Sequence, residues 1–204
     1  MNFSYARKSF GAACLLAVRD PKAWDEFDLT TDGFFRSFAA ILFVIPLNIV
    51  YDLFAIRVVE ARAARAGLVD LQSVYGATEM AFSTVTLVLG WIIFSLAVLF
   101  LLRPLGLQQR YSQFIIANNW GRIVTELLNL PAILMFSLGL ISDQAAIDCL
   151  FIALGLRLYY RFYIAQTALE VGWGFAMAMA ILQLLLLTVF DEVTRLGAGL
   201  WLPA

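Results

Sequence analysis

The chain has 204 residues, of which 62% are apolar and 14% are charged, and its net charge is −1. Soluble domains are typically about half apolar and about a quarter charged. The excess of apolar residues is gathered into blocks of about 20, the length of helix that crosses a bilayer. We therefore predict an all-α, polytopic membrane bundle. This prediction excludes a soluble enzyme, a disordered chain and a disulfide scaffold.

The residue types that most often carry chemistry are scarce in this chain. It has no His, which removes the commonest metal ligand and the usual general base near neutral pH. Its two cysteines, Cys14 and Cys149, are far apart in the sequence and belong to no CxxC pair. The motifs GxSxG and HExxH and the glycine-rich phosphate loop are absent. The balanced charge offers no surface for nucleic acid. We predict no catalytic residue, metal, cofactor or nucleic-acid partner.

Residues 1–33 form the first predicted unit, a cytoplasmic or interfacial segment. Within residues 3–18 the apolar side chains follow one side of a helix while the basic ones stay off it, a pattern typical of an amphipathic helix lying on a membrane surface. Asp20 precedes Pro21, which ends that helix. The apolar run before it has no small-residue cleavage site, so we expect no cleaved signal peptide.

Five apolar segments follow and predict five transmembrane helices in a domain of residues 34–190, before a short tail, 191–204. The segments are 34–56, 81–102, 111–140, 145–164 and 171–190. The turn at 141–144 is short enough to make the third and fourth helices an antiparallel hairpin. Most Lys and Arg residues outside the spans fall on the side of the N-terminus. The chain is therefore predicted to lie in a bacterial inner membrane with its N-terminus cytoplasmic and its C-terminus outside.

The third segment is the least ordinary, because it carries polar and charged residues at membrane depth. Asn118, Arg122 and Glu126 recur at four-residue intervals and so share one helical face. One interpretation is the polar lining of a substrate path or a headgroup pocket. The other is that Arg122 and Glu126 neutralise each other, or that one of them holds the helix against a neighbour. Asn118 and Asn119 also suit interhelical hydrogen bonds, or a helix start just before Trp120 and Gly121 if the span begins late.

The fourth segment carries Arg157, Tyr160 and Arg161 close to its predicted cytoplasmic end. These side chains suit binding of anionic lipid headgroups, or an ordinary aromatic belt with arginines that reach the interface. At the other end of the segment, Asp148 is either a helix cap or a protonatable group. Asp52, near the end of the first segment, has the same two interpretations, or it pairs with Arg57 one turn or more away.

Small residues recur in the last segment at Gly172, Ala176 and Ala180. Such a strip lets two helices approach closely. The strip is interpreted either as packing within the bundle or as a homodimer contact.

Three stretches carry a resemblance to a known family. They are RPLGL at 103–107, the span containing FIIANNWGRI, and LRLYYRFYIAQTALEV at 156–171. With the five spans, they resemble bacterial members of the Yip (Ypt-interacting protein) domain family over most of residues 34–190. The resemblance implies a non-enzymatic integral membrane protein. Eukaryotic members engage prenylated small GTPases, but this chain lacks their DLxGP-like motif before the first span, so that role is not implied. The resemblance assigns no binding residues.

These patterns favour a structural, scaffold or accessory protein that contacts membrane lipids and another membrane protein or a second copy of itself. The alternative function is a small transporter or permease component. Its path would be lined by Asn118, Arg122 and Glu126, with Asp148 or Asp52 as the coupling group.

Overall fold

A computed structural model describes residues 3–65, 67 and 77–197. Over these ranges the chain is helical and contains no strand, which confirms the all-α prediction. Residues 68–76 of the predicted first loop and 198–204 of the predicted tail lie outside the described residues. The helices, in chain order, are α1 (Phe3–Ala17), α2 (Ala23–Glu26), α3 (Thr31–Ser37), α4 (Ile41–Arg65), α5 (Ala77–Leu102), α6 (Tyr111–Leu127), α7 (Leu130–Ser137), α8 (Asp143–Leu169) and α9 (Trp173–Gly197).

Three segments within the described residues are long and apolar enough to cross a membrane. They are Thr31–Glu60, where a short 3-10 turn joins α3 to α4, Met80–Leu102 and Trp173–Thr194. Their lengths of 30, 23 and 22 residues match what a bilayer core requires. They fall on the first, second and fifth predicted spans and indicate a membrane location.

The third and fourth predicted spans look different in the structure. The segment 111–140 is divided into α6, which ends at Leu127, and α7, which begins at Leu130. Pro131 lies in the first turn of α7, where its missing N–H costs no hydrogen bond. The fourth span lies inside α8, a single helix of 27 residues. Neither region meets the criterion of length and apolarity that the other three meet, so the count of five spans stays a prediction.

The centre of the bundle is α6, the helix with the most polar residues at depth. It packs against α1, α3, α4, α5 and α8, while α9 packs on α5 and α8. Most of its residues from 114 to 121 are inaccessible, with Trp120 among the largest fully buried side chains. Asn118 and Asn119, the polar residues of this stretch, are therefore surrounded by other helices.

The helix predicted over residues 3–18 is present as α1. Its buried face consists of small or short side chains at helical spacing, which allows a close approach to α6: Ala6, Ser9, Ala12, Ala13 and Leu16. The ring of Tyr5 meets that of Trp120 edge-on, with 5.7 Å between the centroids. One face of α1 is thus covered by protein. Its position on a membrane surface stays a prediction.

The outer faces of α5 and α9 are apolar stripes. On α5 the exposed side chains recur every three or four residues: Val85, Leu89, Ile92, Leu96 and Phe100. On α9 they recur every four: Met177, Ile181, Leu185, Val189 and Val193. Apolar surface of this extent on a soluble monomer would mark an interaction site. Here it is the surface expected of helices that face lipid or another membrane protein.

Candidate functional site

An amide network at the middle of α6 ties three helices together. The Asn119 side chain is buried, and its Nδ2 donates to Ser37 Oγ of α3 at 2.9 Å. Its Oδ1 accepts from Trp91 Nε1 of α5 at 2.6 Å. The hydroxyl of Ser37 in turn donates to the carbonyl oxygen of Phe34. Asn119 therefore connects α3, α5 and α6 through groups that have no access to water.

Asn118 makes the corresponding contact on the other side of α6. Its Oδ1 accepts from Gln183 Nε2 of α9 at 3.0 Å, and both side chains are buried. The two neighbouring amides thus bind α6 to three other helices. The prediction that Asn118 and Asn119 form interhelical hydrogen bonds is confirmed.

One turn further along α6 the polar groups become charged. Glu126 Oε1 lies 3.3 Å from a guanidinium nitrogen of Arg157 on α8, and its Oε2 accepts from Asn129 Nδ2 at 3.4 Å. The Glu126 and Arg157 side chains are 12% and 23% exposed. The ion pair therefore holds α6 against a neighbouring helix. It does not form between Glu126 and Arg122, so the interpretation that those two residues neutralise each other is wrong.

Arg122 instead lies against an aromatic ring. Its guanidinium carbon is 4.7 Å from the centroid of Trp91, a cation–π geometry. Its Nε is buried and has no hydrogen-bond partner among the described residues. The same Trp91 donates to Asn119, so the ring beneath Arg122 is held in place by the amide network.

Arg161 is the most enclosed of the arginines on α8, at 7% exposure. Within the described part of the chain it forms neither a hydrogen bond nor an ion pair. The charges that act on its guanidinium are those of Arg122, Arg157 and Glu126. Three arginines and one glutamate therefore share the space between α6 and α8, and we name this set the arginine cluster: Arg122, Glu126, Arg157 and Arg161.

The close approach of α6 and α8 depends on Gly121. A Cβ placed at Gly121 would lie 2.8 Å from Ile164 Cδ1 and 3.1 Å from the Tyr160 ring. These contacts and the pair between Glu126 and Arg157 show that the helices run antiparallel. The same register brings Arg122 level with Arg161.

Tyr160 is buried and bonds another helix. It is 4% exposed, and its hydroxyl donates to the carbonyl oxygen of Ala13 on α1 at 2.7 Å. The expectation that Tyr160 and Arg161 form an outer belt is therefore wrong for both residues. The exposed tyrosine of this region is Tyr159, and the guanidinium carbon of Arg19 lies 4.9 Å from its ring centroid.

The two candidate aspartates lie apart from the arginine cluster. Asp148 is exposed and accepts from Gln144 Nε2 at 2.9 Å. It does not cap α8, because that helix begins at Asp143 and the side chain of Ser142 caps it by accepting from Ala145 N. The capping interpretation of Asp148 is therefore wrong. Asp52 accepts from Asn48 Nδ2, which also donates to Ser83 Oγ on α5.

The small-residue strip of the last segment is divided between two environments. Ala176 and Ala180 are buried in the bundle, where α9 packs against α5 and α8. Gly172 precedes α9, is exposed, and would give a Cβ atom no neighbour within 4 Å. Packing within the bundle accounts for the two alanines. The glycine takes no part in it.

Three partner residues of this site have no role in the sequence prediction: Ser37, Trp91 and Gln183. Gln183 had a usable signal, since it is one of the few hydrogen-bonding side chains in a segment without charge, and such a group is expected to find a partner on another helix. Ser37 and Trp91 are ordinary in their sequence surroundings. Their role becomes visible only when α3, α5 and α6 are packed together.

Comparison with protein-family models, curated proteins and solved structures finds no match. Among the described residues, no group of three or more His, Cys, Asp or Glu side chains could hold a metal ion.

Proposed function

We propose that this protein is a non-enzymatic integral membrane protein that acts as a structural or accessory subunit through contacts with lipids and with another membrane protein or a second copy of itself. One observation carries the proposal. Asn118, the amide that would have lined a path along α6, joins that helix to Gln183, and its neighbour Asn119 joins it to Ser37 and Trp91. A path for substrate needs polar groups left open to it, and these are closed.

The outer surface supports the same proposal. The exposed stripes of α5 and α9 present branched and aromatic side chains at regular spacing, a surface suited to lipid or to another apolar helix. We place the protein in a bacterial inner membrane as five spans with a cytoplasmic N-terminus, on the distribution of Lys and Arg. The resemblance to the Yip domain family also implies a membrane protein without catalytic activity.

A transporter component is the second candidate, and the arginine cluster favours it. Buried charges within a helical bundle are commonly found on ion and substrate pathways. Arg122 is one of the predicted path residues, and its buried Nε has no hydrogen-bond partner among the described residues. Transport would require that an anion not only reach this group but also leave it on the other side.

The test is purification of the tagged, full-length protein from its own membrane in a mild detergent, followed by mass spectrometry of the bound proteins. A subunit role predicts a partner, or a second copy, at a fixed ratio to the tagged chain. Tagging that partner should recover this protein at the same ratio, and an unrelated tagged membrane protein should recover neither. A monomer without a protein partner, combined with anion uptake by reconstituted vesicles, would replace the subunit role with transport.

A further inference from the structure

We infer that the arginine cluster is a binding site for a phosphate group, supplied by an anionic lipid headgroup or by free phosphate. The inference deepens the lipid contact of the proposed function and rests on it only for the placement of α6 and α8 in a membrane. Three observations carry it: the excess of positive charge in the cluster, two buried hydrogen-bond donors without partners and the geometry of the two helices.

The charge in the cluster is unbalanced. Among the described residues, Glu126 is the carboxylate that pairs with an arginine of the cluster, and it is already bonded to Arg157 and Asn129. Arg161 is buried and the other three side chains are half-buried, and a charge at membrane depth is costly unless it is paired or hydrated. The cluster therefore has two positive charges more than its own carboxylate can balance. A phosphate group carries the negative charge that would offset this excess.

The donors that such a group would need are also unused. Nε of Arg122 and Nε of Arg157 are buried and have no hydrogen-bond partner among the described residues. Buried donors in proteins are almost always satisfied. A guanidinium presents its N–H groups in a planar fork that matches phosphate oxygens, and it offers no acceptor, so two arginines cannot satisfy each other.

The geometry brings these donors to one place and restrains them. The antiparallel register of α6 and α8 sets Arg122 level with Arg161, a like-charge arrangement that is unfavourable unless an anion lies between them. The ring of Trp91 contacts the Arg122 guanidinium, and Trp91 is itself held by its hydrogen bond to Asn119. Glu126 restrains Arg157. The site is thus ordered before its ligand arrives, which favours affinity.

The test uses the full-length protein, purified and delipidated in a non-ionic detergent, and measures its unfolding temperature against added anion. One arm adds dioleoyl phosphatidylglycerol, with dioleoylglycerol as the control that has the same acyl chains and no phosphate. A second arm adds sodium phosphate, with sodium chloride at equal ionic strength. A ligand that binds only the folded state raises the unfolding temperature in a saturable way.

We expect a saturable rise with phosphatidylglycerol and none with dioleoylglycerol. An equal response to sodium phosphate would identify the free anion as sufficient, whereas a response to the lipid alone would identify the headgroup as the source. A protein that responds to neither phosphate compound more than to its control overturns the inference. That outcome would leave the subunit role intact, because recovery of a protein partner does not depend on it.

The double variant Arg122→Gln/Arg161→Gln locates the site. Since hydrogen bonds to charged groups are among the strong ones, we expect the affinity for the phosphate compound to fall about tenfold or more for each arginine. The matched control is Lys22→Gln/Arg103→Gln, which removes two exposed cations on the same predicted side of the membrane. It should bind as the unchanged protein does. Equal weakening in both double variants would mean attraction by net charge alone and would overturn the inference.

A second variant guards against a folding defect. Arg122→Lys/Arg161→Lys keeps both charges but replaces the fork with single ammonium groups. It should fold as the unchanged protein does and bind the phosphate compound several-fold more weakly. Full affinity in this variant would show that the donor geometry of Arg122 and Arg161 is irrelevant and would overturn the site as described.

Discussion

The two halves of the polar face of α6 pair their polar side chains in different ways. In the first half, Asn118 and Asn119 find neutral partners on α3, α5 and α9. In the second half, Glu126 is paired with Arg157 of α8, but Arg122 lies against the ring of Trp91 and forms no ion pair with a carboxylate of the described residues. Equal spacing along one helix therefore does not mean an equal role. The partners available on the neighbouring helices decide which residues are structural and which remain available for a ligand.

The chemistry of the side chains explains the contrast. An amide has both a donor and an acceptor, so two or three such groups can satisfy one another within the bundle. A guanidinium has five N–H donors and no acceptor, so a bundle with one nearby carboxylate cannot satisfy three of them. The amide half is closed by its own residues, whereas the charged half leaves Nε of Arg122 and Nε of Arg157 without partners among the described residues.

The largest expected effect is that of Glu126→Gln, which removes the carboxylate of the charged half. Breaking one partner of a buried ion pair leaves the other charge uncompensated, and we expect a loss of about 3 kcal/mol in the free energy of unfolding. Denaturant unfolding of the purified protein in detergent measures this loss.

The control for this prediction is the double variant Glu126→Gln/Arg157→Gln. It removes both members of the pair, so it should be less destabilised than Glu126→Gln alone. A single variant as stable as the unchanged protein would show that the pair contributes nothing, and the contrast between the two halves of α6 would lose its electrostatic basis.

The amide half is tested by Asn119→Leu, which keeps the approximate volume and removes the hydrogen bonds. Trp91 Nε1 would then be a buried donor without an acceptor, and the bond to Ser37 would be lost as well, so we expect a loss of about 2 kcal/mol. Asn118→Leu is the matched comparison, because it breaks a single bond to Gln183, and we expect about 1 kcal/mol from it. Unfolding in the same detergent measures both. The reverse order would mean that Asn119 does not hold the three helices together.

The contact between α6 and α8 is tested by Gly121→Ala. The new methyl group would meet Ile164 and the Tyr160 ring, and the ring is restrained by its hydrogen bond to Ala13. Overpacking of this kind costs about 1 kcal/mol. Gly155→Ala is the control, since a methyl group there meets no atom within 4 Å. If both variants unfold at the same temperature, the close approach of the helices does not depend on Gly121.

The sequence was sufficient for the helical class and for the three most apolar spans, because composition and block length are properties of the segments themselves. It also placed Asn118 and Asn119 between helices, since a buried amide must find a partner. The division of the segment 111–140 into α6 and α7 had a visible signal in Pro131, which marks the start of a helix better than its interior.

What the sequence could not provide are the pairings between helices. The four-residue spacing of Arg122 and Glu126 suggests a pair within one helix, but the packing of α8 brings Arg157 to Glu126 instead. Tyr160 and Arg161 look like interface residues because aromatic and basic side chains are common there. Arg161 is buried, and Tyr160 is buried against α1, where its hydroxyl bonds Ala13. Nothing local to residues 156–164 indicates this burial.

The smallest effect is expected from an ion pair outside the bundle, at the start of α8. Asp143 accepts from Arg62 Nε at 3.1 Å and lies 2.6 Å from a guanidinium nitrogen of Arg65. The hydrogen bond from Arg65, aided by the one from Arg62, lowers the pKa of the Asp143 carboxyl from 3.8 to about 2. Because the folded protein binds this proton more weakly, the pair stabilises the fold fully above about pH 4 and progressively less as the pH falls to about 2. Both arginines are largely exposed, so the contribution is modest.

Asp143→Asn should therefore flatten the decline of the unfolding temperature between pH 4 and pH 2, whereas Asp148→Asn, whose partner Gln144 is uncharged, should leave it unchanged. An unaltered decline in Asp143→Asn would mean that the pair does not join α4 to α8 in solution. The less exposed pair of Glu126 and Arg157 would then stabilise the bundle, and the more exposed arginines at Asp143 would not.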